Sequence, residues 1–110
     1  MSKILVGLIS PFRGKDKEDH INNIQKATLW QLEHQIDGMV PVVPHLIFQD
    51  ILDDFDLRQR TKGIRMGHEL YEECLYCEVH TWGSNQNSEG MWEDIKFCES
   101  KGIKLRYYVD

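Results

Sequence analysis

The sequence predicts an α/β protein in which a short parallel sheet is covered by helices on both faces. Short apolar runs suited to buried strands alternate along the chain with longer segments of helical periodicity. Strands and helices that alternate at this length form parallel sheets through right-handed crossovers. With 110 residues, of which 41% are hydrophobic, the chain can bury one core but not two. Residues 1–110 are therefore expected to form a single domain.

The first strand and helix are predicted within residues 4–38. Residues 4–9 are continuously apolar, which is typical of a strand covered on both faces. A Ser-Pro-Phe-Arg-Gly segment then breaks the strand. The segment from Asp16 to Ile36 follows, with apolar or small side chains at spacings of three and four: Ile21, Ile24, Thr28, Leu32 and Ile36. This spacing predicts an amphipathic helix that begins at an Asp and stops at Gly38.

The rest of the chain repeats this alternation. Residues 39–43 predict a second strand, made partly irregular by Pro41 and Pro44, and residues 45–56 predict a short helix or a lid-like loop. Residues 57–74 predict a helix and residues 75–81 a third strand. Residues 89–101 predict the last helix, which stops at Gly102, and residues 103–109 predict the last strand.

Charge and cysteine content exclude several classes of function. The formal net charge of -5 opposes non-specific binding to nucleic acid or to an anionic membrane. The first apolar run is too short to span a membrane and has no cleavage site, which predicts a cytoplasmic protein. The cysteines are odd in number, in a chain with enough aliphatic residues to form a core, which argues against a disulfide framework: Cys74, Cys77 and Cys98. His80 follows one Cys pair, but a zinc site needs further ligands, so neither a metal nor another cofactor is expected.

Ligands of open parallel sheets bind beyond the carboxyl ends of the strands, so the loops there are the candidate sites. The loop after the first strand brings Arg13 and Lys15 to a helix N-terminus, which favours an anion. A solvated turn would explain the same residues. After the second strand comes His45, whose imidazole could donate to a ligand or serve only as a satisfied polar group.

The loop after the third strand combines an aromatic side chain with small polar residues. It runs from Trp82 to Gly90, directly before a helix, and predicts a cradle for phosphate or ribose. Glu93 and Asp94 follow in that helix. A carboxylate at this point could attack the anomeric carbon of a sugar, or it could simply offset the helix dipole.

Three motifs in a fixed order resemble the nucleoside 2-deoxyribosyltransferase-like family. They are Ser10-Pro11-Phe12-Arg13-Gly14, Pro44-His45 and Ser88-Glu89-Gly90-Met91-Trp92-Glu93-Asp94-Ile95. Arg60-Thr61-Lys62-Gly63-Ile64 and Lys101-Gly102-Ile103 resemble its small branch from phages and bacteria. The similarity covers nearly the whole chain. It implies a Rossmann-like three-layer αβα fold, a nucleoside or nucleotide as ligand, and a homo-oligomer whose sites are completed by a neighbouring subunit.

The resemblance also implies roles for individual residues. Ser88 and Gly90 would hold phosphate or sugar, and Phe12 would pack against the base. The carboxylate that attacks the anomeric carbon falls on Asp94, which is the expected catalytic residue. The expected ligand-binding residues are Ser10, Pro11, Phe12, Arg13, His45, Trp82, Ser88 and Gly90.

Two departures from the family pattern bear on catalysis. The family's carboxylate is usually Glu, and Asp94 is one methylene shorter, which sets its oxygens back by roughly 1 to 1.5 Å. The family often has an aromatic hydroxyl late in the first strand, where this chain has Gly7. These departures favour a nucleotide-binding protein without turnover, such as a sensor or a sequestering protein. The alternatives are an N-glycosidic enzyme, either a deoxyribosyltransferase or a nucleotide N-glycoside hydrolase, and a structural or interaction domain.

Overall fold

The computed structural model describes residues 3–48, 56–82 and 89–108, without the side chain of residue 89. In these ranges the elements follow the predicted alternation of strands and helices. They are β1 (Ile4–Ile9), α1 (Lys17–Glu33), β2 (Met39–Val42), α2 (Pro44–Phe48), α3 (Leu57–Glu72), β3 (Tyr76–His80), α4 (Glu89–Lys101) and β4 (Lys104–Tyr108). Of the segment expected to form a short helix or a lid-like loop, the first part is helix α2, and residues 49–55 lie outside the described residues.

The four described strands form one parallel sheet in the order β2-β1-β3-β4. This confirms the predicted α/β class. Pro41 lies in β2 at an edge of the sheet, which is where a residue without an amide proton is tolerated. The chain moves from β1 outward to β2 and from β3 outward to β4, in opposite directions. The carboxyl ends of β1 and β3 therefore flank the topological switch point, where such sheets bind ligands.

Helices cover both faces of the sheet, which makes the fold three-layered. On one face, Val6 and Leu8 of β1 belong to a buried cluster with Ala27 and Trp30 of α1. On the other face, strand residues pack against α3 and α4 in a second cluster: Ile9, Val42, Tyr71, Cys74, Cys77, Val79, Met91, Ile95 and Cys98. No helix in the described ranges has the length and apolar character that a membrane crossing requires.

Helix α1 begins as predicted, but it ends at Glu33 instead of Ile36, and it turns the opposite face to the sheet. The Asp16 carboxylate caps the helix by accepting a hydrogen bond from the Asp19 amide at 2.8 Å. An amphipathic helix normally points its apolar stripe at the core. In α1 the predicted stripe faces outward instead, with Ile21 44% and Leu32 65% exposed, while Trp30 is buried.

The cause of this orientation is a buried carboxylate on the sheet. Glu78 of β3 points toward α1 and accepts hydrogen bonds from Trp30 Nε1 at 3.1 Å, His34 Nε2 at 3.1 Å and His80 Nε2 at 2.9 Å. Burial raises the pKa of Glu78, but the hydrogen bonds from His80 and Trp30, together with the electrostatic attraction of His34 and His80, outweigh burial, so the pKa lies below its usual value. The face of α1 that carries Trp30 and His34 supplies two of these donors, which a buried carboxylate requires.

Candidate functional site

Three of the predicted binding residues lie at the switch point between β1 and β3. Ser10 and Pro11 directly follow β1 and are both buried. Trp82 follows β3 and has a backbone φ of 51°, in the left-handed region that bulky residues rarely adopt. Its carbonyl oxygen accepts a hydrogen bond from Lys26 Nζ at 3.4 Å. Such a conformation costs about 1–3 kcal/mol and is concentrated at functional sites.

The Phe12 ring belongs to an aromatic cluster at the same edge of the sheet. Its centroid lies 4.7 Å from that of His20 in an edge-to-face arrangement and 4.6 Å from that of His45. The Phe12 carbonyl accepts hydrogen bonds from His20 Nδ1 at 2.9 Å and Asn23 Nδ2 at 3.2 Å. These bonds fix the loop after β1 against α1. Phe12 and His45, predicted from separate motifs, are therefore in contact.

The helix N-terminus that was expected to attract an anion already holds two carboxylates. Asp16 accepts from the Asp19 amide, and Asp19 accepts from the Lys15 amide at 3.3 Å. Both carboxylates compete with an incoming anion for the positive end of the helix dipole. Arg13 is half-buried in the preceding loop. A guanidinium is chemically suited to binding a phosphate through paired hydrogen bonds.

Asp94, the expected catalytic residue, is buried and paired with a histidine. It lies on α4 with 7% of its surface exposed, and its Oδ1 accepts a hydrogen bond from His68 Nε2 of α3 at 2.9 Å. The His68 ring stacks on Phe97 with centroids 4.2 Å apart and an interplanar angle of 14°. The pair therefore joins α3 to α4, and stacking fixes the orientation of the imidazole.

A tyrosine from α3 fills the space above Gly7. A Cβ at Gly7 would lie 2.9 Å from Cδ1 of Tyr71 and 2.7 Å from Sγ of Cys77. The Tyr71 hydroxyl donates a hydrogen bond to the Leu8 carbonyl at 2.7 Å. Burial, together with the charge of Asp94, raises the pKa of Tyr71 well above its usual value, so the hydroxyl stays protonated. Tyr71 of α3 thus occupies the space that a side chain at position 7 of β1 would fill.

The last loop is described only at its ends. Ser88 lies outside the described residues. Gly90 lies in the first turn of α4, and a Cβ built on it meets no atom within 4 Å. Glu93 is half-buried beside Asp94.

Of the predicted ligand-binding residues, the structure places Ser10, Pro11 and Trp82 at one edge of the sheet and brings Phe12 into contact with His45.

Sequence reasoning missed the residues that hold the expected ones in position. These are His20 beneath Phe12, His68 on Asp94, and Glu78 with its imidazole partners. Glu78 offered a signal, because a charged residue within a strand of a sheet covered on both faces needs a buried partner. His68 and Tyr71 lie three residues apart on α3. Nothing in their spacing connects them to Asp94.

Two further searches of the described part of the chain concern metal ligands and cavities. No group of three or more His, Cys, Asp or Glu side chains within it could hold a metal ion. A cavity of about 290 Å³ opens at the amino ends of β1 and β2, and its lining includes Lys3, Gly38 and Pro41. It lies at the opposite edge of the sheet from the predicted site and contains none of the predicted site residues.

Residues 4–108 match the model of a family described as Domain of unknown function (DUF7768). The chain belongs to the DUF7768 family. A comparison with curated proteins finds no match. The DUF7768 match runs from the start of β1 to the end of β4, so all the predicted site residues lie within the family domain.

Proposed function

We propose that this DUF7768 protein binds a nucleoside or nucleotide at the carboxyl edge of its sheet and leaves the glycosidic bond intact. The resemblance of its loop motifs to the nucleoside 2-deoxyribosyltransferase-like family suggests the ligand class. Residues from three separate loops or helices converge on the edge where α/β sheets bind ligands, which supports the proposal. A cytoplasmic location fits the three free cysteines.

The aromatic cluster supports recognition of a planar base. Phe12 is half-buried and is packed against two imidazole rings. A base could stack on the exposed part of the Phe12 ring, because aromatic rings prefer offset-stacked or edge-to-face neighbours. His45 can act as donor or acceptor toward the polar edge of that base. The nearby Arg13 supplies a charge for a phosphate.

The state of Asp94 is the observation that carries the proposal of binding without turnover. A nucleophilic carboxylate needs an oxygen free to reach the anomeric carbon. In Asp94 one oxygen is held by His68 at 2.9 Å, and only 11% of the side chain is exposed. The shorter side chain sets the other oxygen further from a ligand than a Glu would. Asp94 is therefore better suited to joining α3 and α4 than to attacking a sugar.

N-glycosidic cleavage is the second candidate, and one observation favours it. His68 Nε2 donates a hydrogen bond to Oδ1 of Asp94 at 2.9 Å, which orients the carboxylate. A carboxylate oriented by a hydrogen-bonded neighbour is the arrangement of an activated nucleophile. Under this candidate Asp94 would attack the anomeric carbon, and base would be released.

One experiment separates the two candidates. The purified protein is incubated with nucleosides, 2′-deoxynucleosides and their 5′-phosphates, and each sample is followed by thermal shift and by chromatography of free base. Stabilisation without free base, in wild type and in Asp94→Asn, is the expected result. Glu93→Gln is the matched control, since it removes the neighbouring carboxylate. Free base that depends on Asp94 and not on Glu93 would establish cleavage. No thermal stabilisation and no release of free base with any of these compounds would refute the proposal.

A further inference from the structure

Three cysteine side chains lie together in the core beside β1, and the proposed function uses none of them. Cys74, Cys77 and Cys98 belong to one buried cluster, and all three are free thiols. The position that a Cβ of Gly7 would occupy is 2.7 Å from Sγ of Cys77 and 3.2 Å from Sγ of Cys74. Both sulfur atoms therefore border the space left by the missing side chain.

Hydrogen bonds between these thiols give them different acidities. The hydrogen bond from Cys77 lowers the pKa of Cys74, although burial and the charge of Glu73 act in the opposite direction. Hydrogen bonds to Cys74 and to Cys98 of α4, together with burial, raise the pKa of Cys77. When neutral, the Cys74 thiol donates to the Leu70 carbonyl at 3.5 Å. Cys74 is thus the thiol that ionises more readily, and the thiolate is the reactive form.

Cys74 is also the thiol nearest to solvent. It lies in the turn between α3 and β3, where its neighbours Glu73 and Leu75 are both exposed. Of its own surface 8% is exposed, whereas Cys77 and Cys98 are 0% exposed. A small oxidant that enters from this turn therefore reaches Cys74 first.

We propose that Cys74 and Cys77 form a peroxide-responsive dithiol that closes to a disulfide. The Cys74 thiolate attacks one oxygen of a hydroperoxide, the O–O bond breaks, and Cys74 becomes a sulfenic acid. The leaving oxyanion takes a proton from water. The Cys77 sulfur then attacks the Cys74 sulfur, and its thiol proton passes to the departing hydroxide, so that an S–S bond forms and water leaves. The two sulfur atoms lose two electrons, which reduce the peroxide.

The backbone at the dithiol is already fixed, so closure depends on the side chains. The Cys74 amide donates to the Tyr71 carbonyl at 3.0 Å. The Leu75 amide donates to the Leu5 carbonyl of β1 at 2.8 Å. A disulfide requires an S–S distance of about 2.05 Å. Rotation of the two side chains into the space beside Gly7 would bring the sulfur atoms together without moving these hydrogen bonds.

This chemistry goes beyond the proposed nucleotide binding and does not rest on it. Cys77 pairs with Gly7 within the sheet, before the carboxyl ends of β3 and β1. Reversible disulfides in reducing compartments are mostly catalytic or redox-sensing. The dithiol would therefore give the protein a response to hydroperoxides that is separate from its ligand.

Thiol counting and peptide mapping test the proposal on the full chain. The reduced protein is treated with hydrogen peroxide, the remaining thiols are alkylated, and a tryptic digest is analysed by mass spectrometry. Lys96 separates Cys98 from the other two cysteines in this digest. We expect two of the three thiols to be lost, with a bridge inside the peptide that holds Cys74 and Cys77, and dithiothreitol should restore them. In urea, where the thiols are no longer held together, bridging should be at least about tenfold slower.

Alanine variants assign the two roles. Cys77→Ala should stop at a sulfenic acid on Cys74, which dimedone traps. Cys74→Ala should slow the loss of thiols at least about tenfold. Cys98→Ala is the matched control, because it removes an equally buried thiol, and it should form the bridge within about twofold of the wild-type rate.

Four results obtained on wild type alone would overturn the proposal. They are thiols that survive a peroxide concentration at which glutathione is oxidised, a bridge that includes Cys98, a bridge between two chains, and bridging that is equally fast in urea. Thermal shifts with nucleotides are measured on the reduced protein, so failure of nucleotide binding and failure of the dithiol are distinguishable.

Discussion

Adding one methyl group at Gly7 tests how closely α3 packs against β1 below the proposed site. The new Cβ would lie 2.7 Å from Sγ of Cys77 and 2.9 Å from Cδ1 of Tyr71, about 1 Å inside an ordinary contact. β1 is paired on both sides, so the strand cannot shift to relieve the overlap. We expect Gly7→Ala to lower the free energy of unfolding by about 3 kcal/mol, the upper end for overpacking.

Urea denaturation and thermal melting measure this loss. For a domain of this size, about 3 kcal/mol lowers Tm by about 12 °C or more. Gly90→Ala is the control, because a Cβ at Gly90 meets nothing within 4 Å and the residue is helical. It should leave stability unchanged or raise it by about 0.5–1 kcal/mol.

A double-mutant cycle identifies the cause of the loss. In a Cys77→Ala background the sulfur atom is absent, so Gly7→Ala should cost at least about 1 kcal/mol less than in wild type. The reasoning is refuted if Gly7→Ala unfolds within 0.5 kcal/mol of wild type, or if the two substitutions are additive. The first result would mean that neither Tyr71 nor Cys77 fills the space above Gly7, and additivity would mean that Cys77 does not.

Two further predictions concern the carboxylates that fix α1. Glu78→Gln should cost about 1–3 kcal/mol at neutral pH, because the buried partners lose an ionised acceptor. The pKa of Glu78 is lowered on folding, so its contribution is present above the unfolded value of about 4.3 and is lost as pH falls through the folded value. Denaturation at a series of acid pH values should therefore show that the free energy of unfolding falls less steeply with pH in Glu78→Gln than in wild type. Equal slopes in the two proteins would contradict a stabilising role for the hydrogen bonds to Glu78. Asp16→Ala should cost about 1 kcal/mol by removing the N-cap, whereas exposed Asp37→Ala should cost under 0.5 kcal/mol in the same assay.

The architecture could be predicted from the sequence because each element carries its own local signal. The apolar run of β1, the Asp16 cap and Gly102 after α4 each specify a strand or a helix end without reference to distant residues. The alternation of strands and helices then limits the topology to a parallel sheet. These signals depend on short-range spacing, which the sequence contains.

The orientation of α1 and the partners of the site could not be predicted in the same way. Helical periodicity indicated an apolar stripe, but the choice of inner face depends on Glu78, a residue 44 positions from His34. The pairing of His68 with Asp94 spans 26 positions. The sequence indicates only that Gly7 has no side chain, whereas in the structure Tyr71 occupies the space beside it. Each of these features is a tertiary contact that overrides local pattern.

Amide chemical-shift mapping tests the central claim most directly. The ¹⁵N-labelled protein is titrated with the nucleoside or nucleotide that stabilises it most in the thermal-shift panel. Our account predicts that the largest shifts occur at Phe12, Trp82 and Gly90, at the carboxyl ends of β1 and β3. Shifts confined to Gly38 and Val40, beside the cavity at the opposite edge, or no saturable shifts at all, would contradict it.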